Sequence, residues 1–274
     1  MTEIGKTFRT LHEQDGAFVI PNPWDIGSAR ILEAMGFRAL ATTSAGMAHA
    51  RGMCDGVVPR EEVLCHCGDV VRATSLPVSA DLEKGFGDSP EDVFETIIAA
   101  AECGLAGCSI EDHTGDSGAP IFDSALAVER IAAACEARDQ LPGDFVLTAR
   151  CENLLWGKND LEAVIRQLQA YDEAGADVLF APGLEDLESI REVCAAVSKP
   201  VNVILESGAT PFSVQQVSDA GARRISVGWA LTALAYGSLI DAGRSMLENG
   251  SFDFLANVPD YDSINDIFKR ADSA

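Results

Sequence analysis

Apolar residues along the chain fall into short near-continuous runs, separated by longer stretches where they recur every three or four positions. The runs, at 17–20, 38–43, 77–81, 106–111, 144–150, 176–180, 200–205 and 223–227, read as eight strands. The intervening stretches, at about 25–35, 60–75, 89–103, 124–138, 159–174, 184–197, 211–220 and 229–248, read as amphipathic helices. Asp25 suits an N-cap, and Thr210-Pro211 suits a helix opening of N-cap followed by proline at N1. Gly36, Gly104, Gly175 and Gly221 each stand between a helical stretch and the strand that follows, the position just past a helix end.

Strands that are apolar on both faces and alternate with helices predict a parallel sheet covered on both sides. Eight such units are what a (β/α)8 TIM barrel requires. An open doubly wound sheet is the competing architecture, but it would carry Gly-x-Gly-x-x-Gly after its first strand, where this chain has Pro21-Asn22-Pro23-Trp24. No low-complexity or linker-like segment divides residues 1–274, which predicts one domain with a C-terminal tail from about 250. A further helix is expected near 263–270. Phe252, Phe254, Leu255 and Tyr261 make the tail apolar enough to pack on something, a neighbouring subunit being one choice.

Charge narrows the partners. A net charge of −23 and a pI near 4.3 oppose binding to a nucleic-acid backbone or an anionic membrane surface, so an anionic substrate needs a local positive centre. The eight cysteines include no Cys-x-x-Cys and read as reduced thiols. In Cys65-His66-Cys67 the two thiols would diverge by roughly 200° on a helix, which argues against a zinc site. The first residues lack the apolar core of a signal peptide, and no apolar run reaches the ~18 residues of a membrane helix, so a cytoplasmic protein is expected.

In such a barrel the chemistry lies at the C-terminal strand ends. Those ends carry Asn22, Ser44-Ala45-Gly46, Asp81 with Glu83, Glu111 with Asp112, Arg150, Pro182, Glu206 and Gly228. Asp81 and Glu83, two apart, share one side of an extended backbone and suit a hard cation such as Mg²⁺, held directly or through water. Gly85 and Gly87 allow a tight turn beyond them. Arg150 can neutralise a carboxylate or developing enolate, or simply pair with the acids. Ser44-Ala45-Gly46 offers a hydroxyl and backbone N–H groups as a carboxylate cradle, or a turn cap. Asp55 could reach the site from its glycine-rich loop or serve as a turn residue.

The series Thr43-Ser44-Ala45-Gly46, Asp55-Gly56, Ala80-Asp81-Leu82-Glu83-Lys84-Gly85-Phe86-Gly87, Ser109-Ile110-Glu111-Asp112, Thr148-Ala149-Arg150 and Glu206-Ser207-Gly208-Ala209-Thr210-Pro211 resembles the isocitrate lyase/phosphoenolpyruvate mutase superfamily over nearly the whole chain. The resemblance implies a barrel dependent on Mg²⁺, with Mn²⁺ as a substitute, commonly a homo-oligomer (dimer or tetramer) whose last helix is exchanged between subunits. It implies action on a small 2-oxo carboxylate, with a C–C bond cleaved through a metal-stabilised enolate. By the same resemblance Asp81, Glu83 and Glu111 serve the metal, Ser44, Ala45, Gly46 and Arg150 hold substrate, and Asp55 lies beside the metal.

The departures are equally specific. The lyase branch carries Lys-Lys-Cys-Gly-His in the loop after strand four, its cysteine acting as general acid, whereas residues 113–120 here read His-Thr-Gly-Asp-Ser-Gly-Ala-Pro. The mutase lid is also missing, the lyase glutamate after strand six is replaced around Phe180-Ala181-Pro182-Gly183, and Val203 stands where the lyases have asparagine. His113 is a candidate for the missing proton donor, or a solvated loop residue. Two alternatives to C–C cleavage follow: a P–C phosphonomutase or hydrolase on phosphonopyruvate-like substrates, and a 2-oxo acid binding protein without turnover.

Overall fold

The computed structural model describes residues 2–158, 160–206, 208 and 212–271. Eight parallel strands form the centre: β1 (Phe18–Ile20), β2 (Leu40–Ala41), β3 (Val78–Asp81), β4 (Gly107–Glu111), β5 (Val146–Arg150), β6 (Val178–Phe180), β7 (Val201–Ile204) and β8 (Arg224–Ser226). Their hydrogen-bonded order is β1-β8-β7-β6-β5-β4-β3-β2, a nearly closed (β/α)8 barrel. Between β1 and β2 the seam is closed by Ala41 N–H donating to Pro21 O at 3.1 Å. Asn22 reinforces it: Nδ2 donates to Thr42 O, and Oδ1 accepts from the amides of Val227 and Gly228.

The outer helices are α2 (Ile26–Ala34), α4 (Arg60–Ala73), α5 (Pro90–Glu102), α6 (Ser124–Asp139), α7 (Leu161–Glu173), α8 (Leu187–Ala196), α9 (Val214–Asp219) and α10 (Ala230–Arg244). Asp25, Ser89 and Ser213 close capping boxes at α2, α5 and α9, satisfying first-turn N–H groups that burial would otherwise orphan. The expected opening of the seventh helix at Thr210-Pro211 lies outside the described residues.

Among the described residues three α-helices lie outside the eight units. At the N-terminus α1 (Thr2–Glu13) buries Phe8, Leu11 and His12 beneath the barrel. After β2 comes α3 (Ser44–Ala50), a helix in a stretch to which the hydrophobic pattern assigns no element. Following α10, a π-helical turn (Ser245–Asn249) and a 3-10 turn (Asp253–Asn257) lead to α11 (Tyr261–Ala271). The last helix packs on α2 of its own chain: Arg30 donates to Phe268 O at 3.2 Å and lies 5.4 Å from its ring. Phe252, Leu255 and Tyr261 remain exposed.

The barrel interior is polar at its lower layer. Arg224, 5% exposed, donates from Nε to Asn202 Oδ1 (2.8 Å), from Nη2 to Thr148 Oγ1 (3.0 Å) and from Nη1 to His12 Nε2 (3.3 Å). Above this layer, toward the C-terminal strand ends, lies a cleft lined by Asp81, Arg150, Phe180, Ile204 and Gly228. Among the described residues no helix is long and apolar enough to cross a membrane. No disulfide links the eight cysteines: Cys54 and Cys65 are exposed, while Cys67 is buried, so Cys65 and Cys67 do diverge on α4.

Candidate active site

Strand β3 ends in Asp81, and hydrogen bonds between backbone amides and side-chain oxygens tie that end to its neighbours. Asp81 N–H donates to Thr42 Oγ1 at 3.0 Å, and its Oδ2 accepts the amide of Ser44 at 3.2 Å. Thr43 caps α3 by accepting Gly46 N–H. Of the amides expected to form a cradle, those of Ser44 and Gly46 are thus engaged within the protein. The Ser44 hydroxyl interacts with Asp55, whose carboxyl is pushed up by burial and by Asp81.

Glu83 follows with φ +50°, a left-handed conformation unusual for a residue with a side chain, and Phe86 repeats it at φ +62°. The turn aims Glu83 back at the rim. Burial, together with Asp81 and Asp55, raises its carboxyl to about 7. Glu111 N–H donates to Glu83 O at 3.0 Å, so the ends of β3 and β4 stay side by side. The Glu111 carboxyl is held well above its ordinary range by burial, against the pull of Arg150.

Arg150, paired in register with Glu111, lies among these acids. Its Nε is 2.5 Å from Glu152 Oε1 and 3.3 Å from Glu111 Oε2, and Nη1 is 3.8 Å from Asp81 Oδ1. The guanidinium also faces the Phe180 ring at 5.1 Å. His113 Nδ1 stands 3.8 Å from Glu111 Oε1, and the imidazole stacks on Trp156 with centroids 4.4 Å apart. Its buried Nε2 has no hydrogen-bond partner. Burial favours the neutral ring.

Asp55, Asp81, Glu83, Glu111, Arg150, Ser44 and His113 therefore gather at one mouth. Asp112 does not join them: its Oδ2 accepts Tyr171 Oη–H at 2.9 Å and its Oδ1 accepts Glu152 N–H at 2.7 Å, beneath the rim. Glu152 is the member that strand-end reading missed. The signal was present, because Arg150 and Glu152 repeat the spacing of Asp81 and Glu83. Glu206 is within electrostatic reach of Arg150 and Glu152, and burial raises its carboxyl; Ser207, Ala209, Thr210 and Pro211 of its motif lie outside the described residues.

The donor set bears on a metal. Among the described residues no three His, Cys, Asp or Glu side chains converge as a direct metal cage. Instead, several desolvated carboxylates surround one buried guanidinium, leaving excess negative charge at the rim. That arrangement fits Mg²⁺, which keeps several waters and takes one or two carboxylates. It does not fit a fully dehydrated structural ion.

Residues 8–247 match the family model described as phosphoenolpyruvate phosphomutase. A candidate lyase/mutase from Burkholderia cenocepacia J2315 shares 48% identity, with a TM-score of 0.95 over 97% of this chain and 96% of that one. The 2-methylisocitrate lyase of Escherichia coli K12 is 31% identical over 217 residues, 76% of this chain and 72% of the lyase. An oxaloacetate acetylhydrolase solved with its product oxalate superposes with a TM-score of 0.85 at 26% identity, covering 98% of this chain and 94% of the other.

Proposed function

The chain belongs to the phosphoenolpyruvate phosphomutase family, and from that premise we propose that it is a Mg²⁺-dependent enzyme cleaving a C–C bond of a small 2-oxo carboxylate. The observation that carries this reading is Arg150 within 3.3 Å of Glu111 and 3.8 Å of Asp81 at one barrel mouth. A guanidinium and a ring of hard oxygen donors side by side suit a substrate that is both an anion and a metal chelator. Relatives in this superfamily include lyases and an oxaloacetate acetylhydrolase.

In this reading Asp81, Glu83 and Glu111 hold the cation directly or through water, with Asp55 beside it. When bound, Mg²⁺ or Mn²⁺ would supply Lewis-acid polarisation of the 2-oxo group. Arg150 is poised by its partners: Glu152 grips Nε closely, while the longer approaches to Glu111 and Asp81 are loose enough for a substrate carboxylate to replace them. Ser44, Ala45 and Gly46 would border the opposite end of the substrate at the start of α3. Phe180 and Ile204 limit water on the cleft's apolar side. His113, beside Glu111, is placed to exchange a proton with the leaving fragment. The exposed Leu239, Phe252, Leu255 and Tyr261 support assembly as a homo-oligomer.

A second reading, P–C chemistry on a phosphonopyruvate-like substrate, is favoured by the family description itself. Both are tested by following oxaloacetate and phosphonopyruvate with and without EDTA. Oxaloacetate cleavage that stops with chelation and returns with Mg²⁺ supports the first reading, and preferential use of phosphonopyruvate the second. Turnover indifferent to EDTA overturns both. Tight oxalate binding with no turnover would leave a binding protein.

A further inference from the structure

The turn that carries Glu83 is gripped from behind by a residue outside the rim. Arg130 on α6 is 1% exposed and, among the described residues, pairs with no carboxylate; its Nη1 donates to Gly87 O at 2.9 Å and its Nη2 to Lys84 O. Thr96 Oγ1 donates to Gly85 O at 2.8 Å. Three carbonyls of one short turn are therefore held by buried donors, on either side of the left-handed residue Phe86 and directly after left-handed Glu83. Such conformations persist only where their surroundings over-determine them.

The same group reaches the loop after β4. That loop is a small hairpin: His113 bridges Ile121, Thr114 N–H donates to Pro120 O at 2.8 Å, and Thr114 Oγ1 to Ala119 O at 2.7 Å. Lys84 Nζ donates to Thr114 O at 2.7 Å and to Asp88 Oδ1 at 2.6 Å. The Asp88 pair is largely solvated and adds little, so the bond to the hairpin carbonyl is the one with structural consequence. At the hairpin's base the Phe122 ring lies 4.3 Å from the Arg130 guanidinium.

We propose that Arg130 and Lys84 are positioning residues that join the acid-bearing turn and the 113–121 hairpin into one unit, with Arg130 fixing the strained turn and Lys84 latching the hairpin to it. Glu83 and His113 then keep a fixed relation across the mouth because each is anchored to the same pair of cations. The part concerning Glu83 and a cation rests on the proposed function. The mechanical coupling does not.

The test is amide hydrogen exchange on the full chain without added metal, in wild type, Lys84→Met and Arg130→Lys, with Mn²⁺ affinity measured by electron paramagnetic resonance. In Lys84→Met the bonded amides of Thr114, Gly118 and Ala119 are expected to exchange about tenfold faster, as loss of a charge-assisted hydrogen bond implies, while amides of β5 are unchanged. Arg130→Lys keeps the charge but cannot span two carbonyls, so the Gly85 amide is expected to exchange faster and Mn²⁺ to bind about tenfold more weakly, with circular dichroism unaltered. Hairpin exchange unchanged in Lys84→Met, or rising equally in every strand, overturns the proposal. So does unchanged Gly85 exchange in folded Arg130→Lys. If Arg130→Lys does not fold, the Lys84→Met result decides. Absence of Mn²⁺ binding in wild type would count against the metal reading alone, and the exchange data would still decide the coupling.

Discussion

Arg150 and Glu152 stand two residues apart at the end of one strand and share an ion pair of 2.5 Å, with the Glu152 side chain buried and that of Arg150 mostly so. Glu111 and Asp81 approach the same guanidinium at 3.3 and 3.8 Å. Glu152 is thus the partner that sets the orientation of Arg150, and its own amide is fixed by Asp112 Oδ1. Glu152→Ala is expected to let Arg150 swing onto Glu111 and Asp81, weakening oxalate binding about tenfold or more, the scale of one charge-assisted bond at ~1.5–3 kcal/mol. Glu152→Gln keeps an acceptor at the same place and should recover part of the loss. Calorimetric titration of both variants checks this, and equal affinities in all three proteins would refute it.

Close packing at the start of α3 gives a second expectation. A Cβ on Gly46 would lie 2.6 Å from both Thr232 Oγ1 and Thr43 Cγ2, and 3.1 Å from Trp24 Cβ. Gly46→Ala must therefore push α3 away from α10, at a cost of about 1–3 kcal/mol typical of overpacking, and would disturb the Ser44 amide that Asp81 accepts. Thr232 Oγ1 is buried without a hydrogen-bond partner, so Thr232→Ala should cost little alone and restore part of the stability lost in Gly46→Ala. Urea denaturation of the two single variants and the double variant measures the coupling.

Much of this arrangement is legible in the chain because parallel strands buried on both faces leave unbroken apolar runs, and Gly36, Gly104, Gly175 and Gly221 mark where four of the eight begin. The rim acids are legible as carboxylates placed directly at and after strand ends, although only Asp81 lies on the extended strand and Glu83 follows it in a left-handed turn. Alternation along the strand also separates Asp112 from Glu111. As the immediate neighbour of Glu111 it points the other way, toward Tyr171. The helix α3 was not legible, since seven residues of Ser, Ala, Gly, Met and His are too short to display a period. Nor could spacing show that Glu83 turns back through a left-handed backbone, which depends on Arg130 and Thr96 arriving from α6 and α5.

The crowding of acids predicts how a cation and pH interact. In the metal-free protein burial, Asp81 and Asp55 raise Glu83 to about 7, against ~4.3 for an unperturbed glutamate. Between those values the folded state holds more protons than the unfolded state, so stability falls as pH rises through that window, by on the order of 2–3 kcal/mol for this group. A divalent cation at the rim offsets the exposed repulsion only when the carboxylates are ionised. Mg²⁺ should therefore raise the melting temperature more at pH 8 than at pH 5, and EDTA should reverse the gain. A Mg²⁺ effect of the same size at both pH values would argue against the rim carboxylates as its site.

At the opposite end of the barrel, His12 and Arg224 set an acid limit of different origin. His12 Nδ1–H donates to Phe8 O at 2.9 Å, which leaves Nε2 as the acceptor for Arg224 Nη1 at 3.3 Å. Protonating the ring would place two buried cations in contact, and burial with Arg224 lowers the imidazole to about 3. The unfolded chain takes up this proton near pH 6.5 while the folded one does not, so the stability is complete above that pH and drains away as pH falls toward about 3. Between pH 6.5 and 5 the loss should approach ~2 kcal/mol. His12→Asn removes the titrating ring, so its denaturation free energy should be lower at pH 7.5 but decline less steeply through this window. Parallel slopes in the two proteins would show that acid sensitivity arises elsewhere.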